Sequence, residues 1–222
     1  MKKLVLAAIL GLGVFGMLGV ASLNAAEIFS AGQLMQLFDD CHNKQNKIAC
    51  QSFIDNNLYQ SVEECDKSTC DGYGDIFYFT ANYQQAVKYY QKSADLGNAR
   101  GYHLLGLLYY DGKGVCQNLP KAFTLYKKAC DLNFATACHN VGLLYDNGRG
   151  VKQDFTNARK YYEKACNANI AGACNNLGYL YGNGKGVKEN LSTAKQYYGK
   201  ACDLGNQMGC DNYKILNKQG VK

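Results

Sequence analysis

Eleven of the 222 residues are cysteines, and six of them keep a strict register. Cys130 and Cys138, Cys166 and Cys174, and Cys202 and Cys210 form three pairs with seven residues between partners, and the pairs recur every 36 residues. Thiolates at regular spacing serve either metal binding or disulfide formation. The chain holds no C-x-x-C pair and only three histidines, so the zinc arrangement lacks its ligands and no metal site is expected. The spacing instead suits disulfides. Cys130 should end one helix and Cys138 sit inside the next, on either side of a short turn that brings their Cα atoms within bridging reach. The expected bridges are Cys130–Cys138, Cys166–Cys174 and Cys202–Cys210, with Cys41–Cys50 and Cys65–Cys70 as local pairs at other spacings. Cys116 is left over, where the repeat has Lys152 and Lys188, and reads as a free thiol in preference to an intermolecular link.

The other sequence with chemical potential is Ser192-Thr193-Ala194-Lys195, an S-x-x-K element. Acylating serine enzymes of the β-lactamase type need that element together with S-D-N and K-T-G, and both are absent. The same positions in earlier repeats read Thr156-Asn157-Ala158-Arg159 and Pro120-Lys121-Ala122-Phe123. The serine therefore belongs to a recurring helix start, and no catalytic residue can be assigned from the sequence.

Repetition decides the fold. Lys128-Ala129-Cys130 returns as Lys164-Ala165-Cys166 and Lys200-Ala201-Cys202, and glycine recurs at Gly106, Gly142 and Gly178. A period between 20 and 50 residues marks a stacked architecture in which each unit buries its apolar face against its neighbours. Thr136 to Tyr145 carries Val141, Leu144 and Tyr145 at helical spacing, and a glycine-rich break follows. Asp154, with Asn118 and Asn190 as counterparts, caps a second helix bearing Phe155, Ala158, Tyr161, Tyr162 and Ala165. Small residues at Gly142 and Ala158 should let the two helices approach, with Tyr126, Tyr162 and Tyr198 filling space between successive pairs. From Gly74 to Ala86 the spacing is twelve residues rather than sixteen, so that hairpin should be tighter. Lys214 replaces the repeating glycine and predicts a terminal cap from Asn206 to Lys218.

The expected fold is all-α, a right-handed superhelical solenoid of αα-hairpin repeats cross-linked by local disulfides. Residues 27–73 should form N-terminal helices or a degenerate repeat, 74–210 the 36-residue repeats, and 211–222 a C-terminal cap and tail. Ahead of these, Met1-Lys2-Lys3, an apolar run from Leu4 to Val20 and small residues through Ala26 have the layout of a secretory signal peptide, residues 1–26. Cleavage would follow Ala25 or Ala26; the alternative is an uncleaved anchor, since 17 apolar residues approach the length of a span. Removing the signal takes the formal charge from +6 to +4, a mild balance that gives nucleic-acid binding no support. Many cysteines behind such a leader predict a secreted or periplasmic protein in an oxidising compartment.

The run of glycine-rich loop, capped helix reading Y-x-K-A-C, seven residues and cysteine resembles the Helicobacter cysteine-rich protein family, disulfide-bridged Sel-like relatives of tetratricopeptide repeats. The resemblance covers Gly74 to Cys210. It implies an exported protein that binds penicillin and slowly hydrolyses β-lactams. It also implies which first-helix positions line a concave groove: Arg100, His103, Leu107 and Tyr110, then His139, Asn140, Leu143 and Asp146, then Asn175, Asn176 and Tyr179. Asparagine amides can satisfy both the N–H and the C=O of an extended backbone or an amide-bearing sugar. Asn140 and Asn176 are expected to be exposed there. The leading reading is a monomeric binding scaffold for a peptide or peptidoglycan fragment, with no cofactor. A weak β-lactam hydrolase and a host-protein-binding secreted protein are the alternatives.

Overall fold

The structure, a computed structural model, describes residues 31–42, 44–55, 57, 61–67 and 69–222; the expected signal peptide, residues 1–26, lies outside them. Every regular element among the described residues is a helix. Two compact units divide the chain, residues 1–117 and 118–222. The first holds α1 (Ala31–His42), α2 (Lys47–Asp55), α3 (Thr69–Phe79), α4 (Tyr83–Asp95) and α5 (Ala99–Asp111). The second holds α6 (Leu119–Asp131), α7 (Ala135–Asn147), α8 (Phe155–Asn167), α9 (Ala171–Gly182), α10 (Leu191–Asp203) and α11 (Gln207–Lys218). Within each unit every helix packs on the next in sequence. The odd-numbered helices from α3 onward are the A members of the hairpins and the even-numbered helices from α4 the B members. In the second unit α9 also touches α7 and α11, so its A helices form one layer.

Three hairpins close on a glycine. The ring of Tyr162 in α8 occupies the place a side chain at Gly142 of α7 would take, with a Cβ there only 2.5 Å from the ring. Tyr198 of α10 stands in the same relation to Gly178 of α9, at 2.7 Å, and Tyr90 of α4 to Gly74 of α3. Tyr162 thus fills the inside of its own hairpin, a closer role than the spacer between pairs expected from sequence. The alanines the repeat conserves in its register, Ala122, Ala158 and Ala194, are fully buried, as are Ala129, Ala165 and Ala201. Aromatic rings then join the layers: Tyr145 of α7 stacks on Tyr161 at 5.7 Å and meets Phe123 edge-on at 5.1 Å.

Loops between A and B helices tie each repeat to the one before. The backbone at Gly150, with φ of 73°, lies so close to Leu119 that a Cβ would stand 2.5 Å from the Leu119 carbonyl carbon. Gly186 makes the same approach to Phe155, and Gly114 to Tyr83. The B helices start on side-chain caps: Asn118, Asp154 and Asn190 accept from the backbone N–H of Lys121, Asn157 and Thr193. Only three residues join α3 to α4, against seven between α7 and α8, which is the tighter hairpin foreseen from the twelve-residue spacing.

The turn from B back to A is short and bridged. Asn133 and Asn169 adopt positive φ, 65° and 63°, at the middle of three-residue turns. Phe134 and Ile170 follow without any side-chain cap for α7 and α9. Cys130–Cys138 and Cys166–Cys174 span those turns with Cα atoms 4.7 Å apart, and Cys202–Cys210 does so at 4.4 Å. Cys41–Cys50 joins α1 to α2, and Cys65–Cys70 anchors the start of α3. Cys116 is free and exposed. After α11, Val221 packs on the cluster of Ala194, Tyr198 and Leu216, and its carbonyl accepts from Lys195 at 2.5 Å.

Gly178→Ala should destabilise the fold by about 1–3 kcal/mol, because the added methyl meets the Tyr198 ring. Gly182→Ala, whose methyl would reach only ordinary contact with Ala194 at 3.5 Å, should be tolerated or slightly stabilising. Urea unfolding of the two variants checks this, and equal stabilities would remove the tyrosine slot from the account. Opening any one of the three repeat bridges by a double Cys→Ser change, such as Cys166→Ser with Cys174→Ser, should cost about 2–3 kcal/mol. A melting temperature indifferent to reductant would show that helix stacking alone holds the turns.

Candidate binding face

In the 118–222 unit the A helices bring several of the expected residues together. The amide of Asn176 on α9 lies 3.2 Å from Nε2 of His139 on α7. With the amide as donor, the ring is neutral and carries its proton on Nδ1. The His139 ring stands 5.8 Å from that of Tyr162, whose hydroxyl donates to Asp146 at 3.1 Å. Two polar pairs, Asn176 with His139 and Tyr162 with Asp146, therefore lie side by side across the His139–Tyr162 ring contact. Burial lowers the pKa of His139, and burial followed by the Asp146 charge raises that of Tyr162. Asn140 is half-buried and not without a partner.

Tyr179 is the open member of the face, 42% exposed. Lys185, the middle residue of the Gly184-Lys185-Gly186 loop, donates to the Tyr179 hydroxyl at 2.9 Å and lies 5.1 Å from the centre of the Phe155 ring. That hydrogen bond raises the Lys185 pKa. Asn175 departs from expectation. It is buried, and its side-chain oxygen accepts from Asn212 of α11 at 3.1 Å, so it clamps two A helices instead of facing solvent. Asn176 is likewise half-buried and partnered. The register explains both: residues 37 apart on successive A helices meet side by side, as His139 with Asn176 and Asn175 with Asn212 do.

Arg100, His103 and Tyr110 belong to the 1–117 unit. Arg100 is committed to two buried carboxylates, 2.6 Å from Asp75 and 3.6 Å from Asp71. Asp75 also accepts from the Tyr90 hydroxyl at 2.7 Å, and Asp71 from the Asn98 amide at 2.9 Å. Burial raises the Asp71 pKa. His103, one turn along from Arg100, is pushed down to about 4 by burial and by the guanidinium. Leu107 and Tyr110 are half-buried. Asp71, Asp75, Tyr90 and Lys185 were missed by the sequence reading. Asp75 beside the repeating glycine, and a lysine between two loop glycines, were the available signals.

The S-x-x-K element falls where a helix start should. Ser192 is exposed in the first turn of α10, and Lys195 spends its ammonium on the Val221 carbonyl while lying 5.5 Å from the Tyr213 ring centre. Among the described residues no group of three or more His, Cys, Asp or Glu could hold a metal ion. Nor is any helix among them long and apolar enough to cross a membrane. Two open hollows of the 1–117 unit, one lined by Ile54, Thr80 and Tyr83, the other by Ile54, Phe77 and Lys88, include none of the expected residues.

Helical hairpins at a 36-residue period, bridged at their turns, define an αα-hairpin repeat protein. The Sel1 repeat matches residues 71–98, 99–134, 135–170 and 171–206, and the chain belongs to the Sel1 repeat family. Among solved structures it is similar to a Sel1 repeat protein from Oxalobacter formigenes, at 32% identity over 67% of this chain and 59% of that one, with a TM-score of 0.63. It is also similar to a protective antigen of uropathogenic Escherichia coli displaying an SLR fold, at 24% identity over 85% of this chain and 44% of that one, TM-score 0.64. The chain thus spans under two thirds of the length of both. Helicobacter pylori cysteine rich protein B shares 35% identity over 60% of this chain and 96% of its own, TM-score 0.47. No curated protein matches the chain.

His103 and His139 have pKa values lowered in the fold, so between the ordinary histidine value and the lowered one the unfolded chain binds the extra proton. Their contribution is complete above pH 6.5 and is lost as pH falls, for His103 down to about 4. Urea unfolding at neutral and acid pH should therefore show a smaller acid loss for His103→Gln than for the parent protein. An identical loss in both would show that His103 contributes nothing to the acid response.

Proposed function

We propose that this chain is a secreted or periplasmic, monomeric binding protein that holds an extended peptide or a peptidoglycan fragment on the A-helix face of residues 118–222. The observation that carries the reading is the half-buried polar set of Asn176, His139 and Asp146, backed by the buried Tyr162 hydroxyl and edged by the exposed ring of Tyr179. Helical backbone offers a ligand no free N–H or C=O groups, so recognition falls to side chains such as these. Asn140 and Asn176 are the amides suited to an extended backbone, and Tyr179 supplies a flat surface for a sugar or a side chain. Arg100, His103 and Tyr110, the other predicted members, lie on α5 in residues 1–117. Five disulfides point to an extracytoplasmic compartment, where such ligands occur.

A hydrolase gains no support from the geometry, since Ser192 has Lys195 turned away to the chain terminus. Asn140→Ala with Tyr179→Ala should weaken binding of muropeptides or extended peptides by about 1–3 kcal/mol, roughly 5-fold to 150-fold, in titration calorimetry. Nitrocefin turnover is measured in parallel. Unchanged affinity in that variant, with turnover abolished by Ser192→Ala, would overturn the binding face in favour of β-lactam hydrolysis.

A further inference from the structure

The modest net charge of the whole chain, +6, conceals a sharp division. Residues 118–222 hold 15 Lys and Arg against 7 Asp and Glu, a net +8, whereas residues 31–117 hold 7 against 10, a net −3. Inside the basic unit the charge is divided again, this time between layers. The B helices α6, α8 and α10, with the loops leading into α8 and α10, carry twelve cations and five carboxylates, a net +7. The A helices α7, α9 and α11 carry two of each and are neutral. The polar face described above and the basic surface therefore lie mainly on different layers, and they meet where Lys185 reaches the Tyr179 hydroxyl.

Most of the carboxylates on the basic layer are already engaged. Asp131 pairs with Lys127 at 2.9 Å, Glu163 with Arg159, and Asp154 caps α8. Lys152, Lys160 and Lys188 are exposed. The cations also keep the repeat register: Lys128, Lys164 and Lys200 fall at one position of successive B helices, and Lys152 and Lys188 at one position of successive loops. Charge is thus strung along the stacking direction.

We infer that the B-helix layer of residues 118–222 is a second interaction surface, one that takes a linear anionic polysaccharide. A polymer with a charge on each sugar or pair of sugars can meet cations delivered one set per repeat. A bilayer would call for apolar groups to insert, and the large apolar residues exposed on this layer, Leu132, Leu191 and Leu204, sit singly at helix ends. Nucleic acid is the competing polyanion, and preference for a DNA duplex over heparin at equal salt would overturn the inference.

The test titrates the full chain with fluorescein-labelled heparin as the linear polyanion. Binding should weaken steeply between about 50 and about 200 mM salt, as counterion release requires. Lys152→Glu, Lys160→Glu and Lys188→Glu combined, which lower the unit's net charge by six, should weaken it on the order of 100-fold. Circular dichroism and the melting temperature show whether that variant folds, and a Lys→Ala triple at the same positions should give an intermediate loss. Asn140→Ala alone, on α7 and away from the counted cations, should bind heparin like the parent, which separates this surface from the A-helix face. Heparin affinity unchanged in the folded triple variants would overturn the inference. So would retention by phosphatidylglycerol vesicles or polyglutamate without retention by heparin.

Discussion

An αα-hairpin of this length cannot bury its own apolar stripe, so its two helices must come close enough for one large ring to fill the gap. That closeness is set by the contact of Tyr162 with the bare backbone at Gly142, repeated by Tyr198 with Gly178 and Tyr90 with Gly74. A tyrosine brings much buried area at the loss of few rotatable bonds, but only if the facing position has no side chain. Once the ring is seated its hydroxyl needs a partner inside the protein. Tyr162 finds Asp146 and Tyr90 finds Asp75, and so the packing device also places carboxylates on the A helices. The polar face follows from the core.

Stacking these hairpins raises a second problem, the helix ends. Four carbonyls at the end of each B helix and four N–H groups at the start of each A helix lack intrahelical partners. Backbone bonds in the turn satisfy some, such as Phe134 N–H donating to the Ala129 carbonyl. The Lys164 ammonium supplies another, bonding the Cys130 carbonyl of the preceding B helix at 2.7 Å. The disulfides then fix the turn where α7 and α9 have no side-chain cap. At the opposite end the second loop glycine lets backbone rest on the neighbouring helix start, and the lysine between the glycines covers the aromatic residue there, as Lys185 covers Phe155.

Much of this was legible in the chain because a repeat states each constraint several times. The 36-residue register placed the helices, the caps at Asn118, Asp154 and Asn190, and the tighter hairpin after Gly74. It assigned the glycine to helix approach in general but not to the tyrosine ring twenty residues on, since periodicity shows recurrence and not contact. The binding face was legible only in part. The resemblance to tetratricopeptide repeats put His139, Asn140, Asn175 and Asn176 on the groove side of their helices, yet whether a side chain meets solvent or the next A helix depends on the lateral offset of neighbouring helices. Asn175 sits on the near side of that divide, bonded to Asn212, and Asn176 reaches back to His139. Arg100 escaped for another reason: Asp71 and Asp75, which hold it, lie on α3, in the stretch where the spacing departs from the repeat.

The layered arrangement also separates roles that a single-layer fold would mix. A helices meet one another directly, so their inward-facing charges would repel or need pairing across every interface, and in residues 118–222 they are neutral in sum and rich in amides. B helices have long exposed flanks on which lysine can keep its stem against the protein and its ammonium in water. Lysines in the last turn of each B helix also offset the negative end of the helix dipole. Cations that begin as helix-end stabilisers thus accumulate, repeat by repeat, into a surface with one sign of charge. Lys127–Asp131 and Arg159–Glu163 show the counter-pressure, since an exposed pair one turn apart removes local repulsion without removing the excess. What a stacked architecture needs for its own stability therefore produces, on its outer layer, the electrostatic field a polyanion would sense.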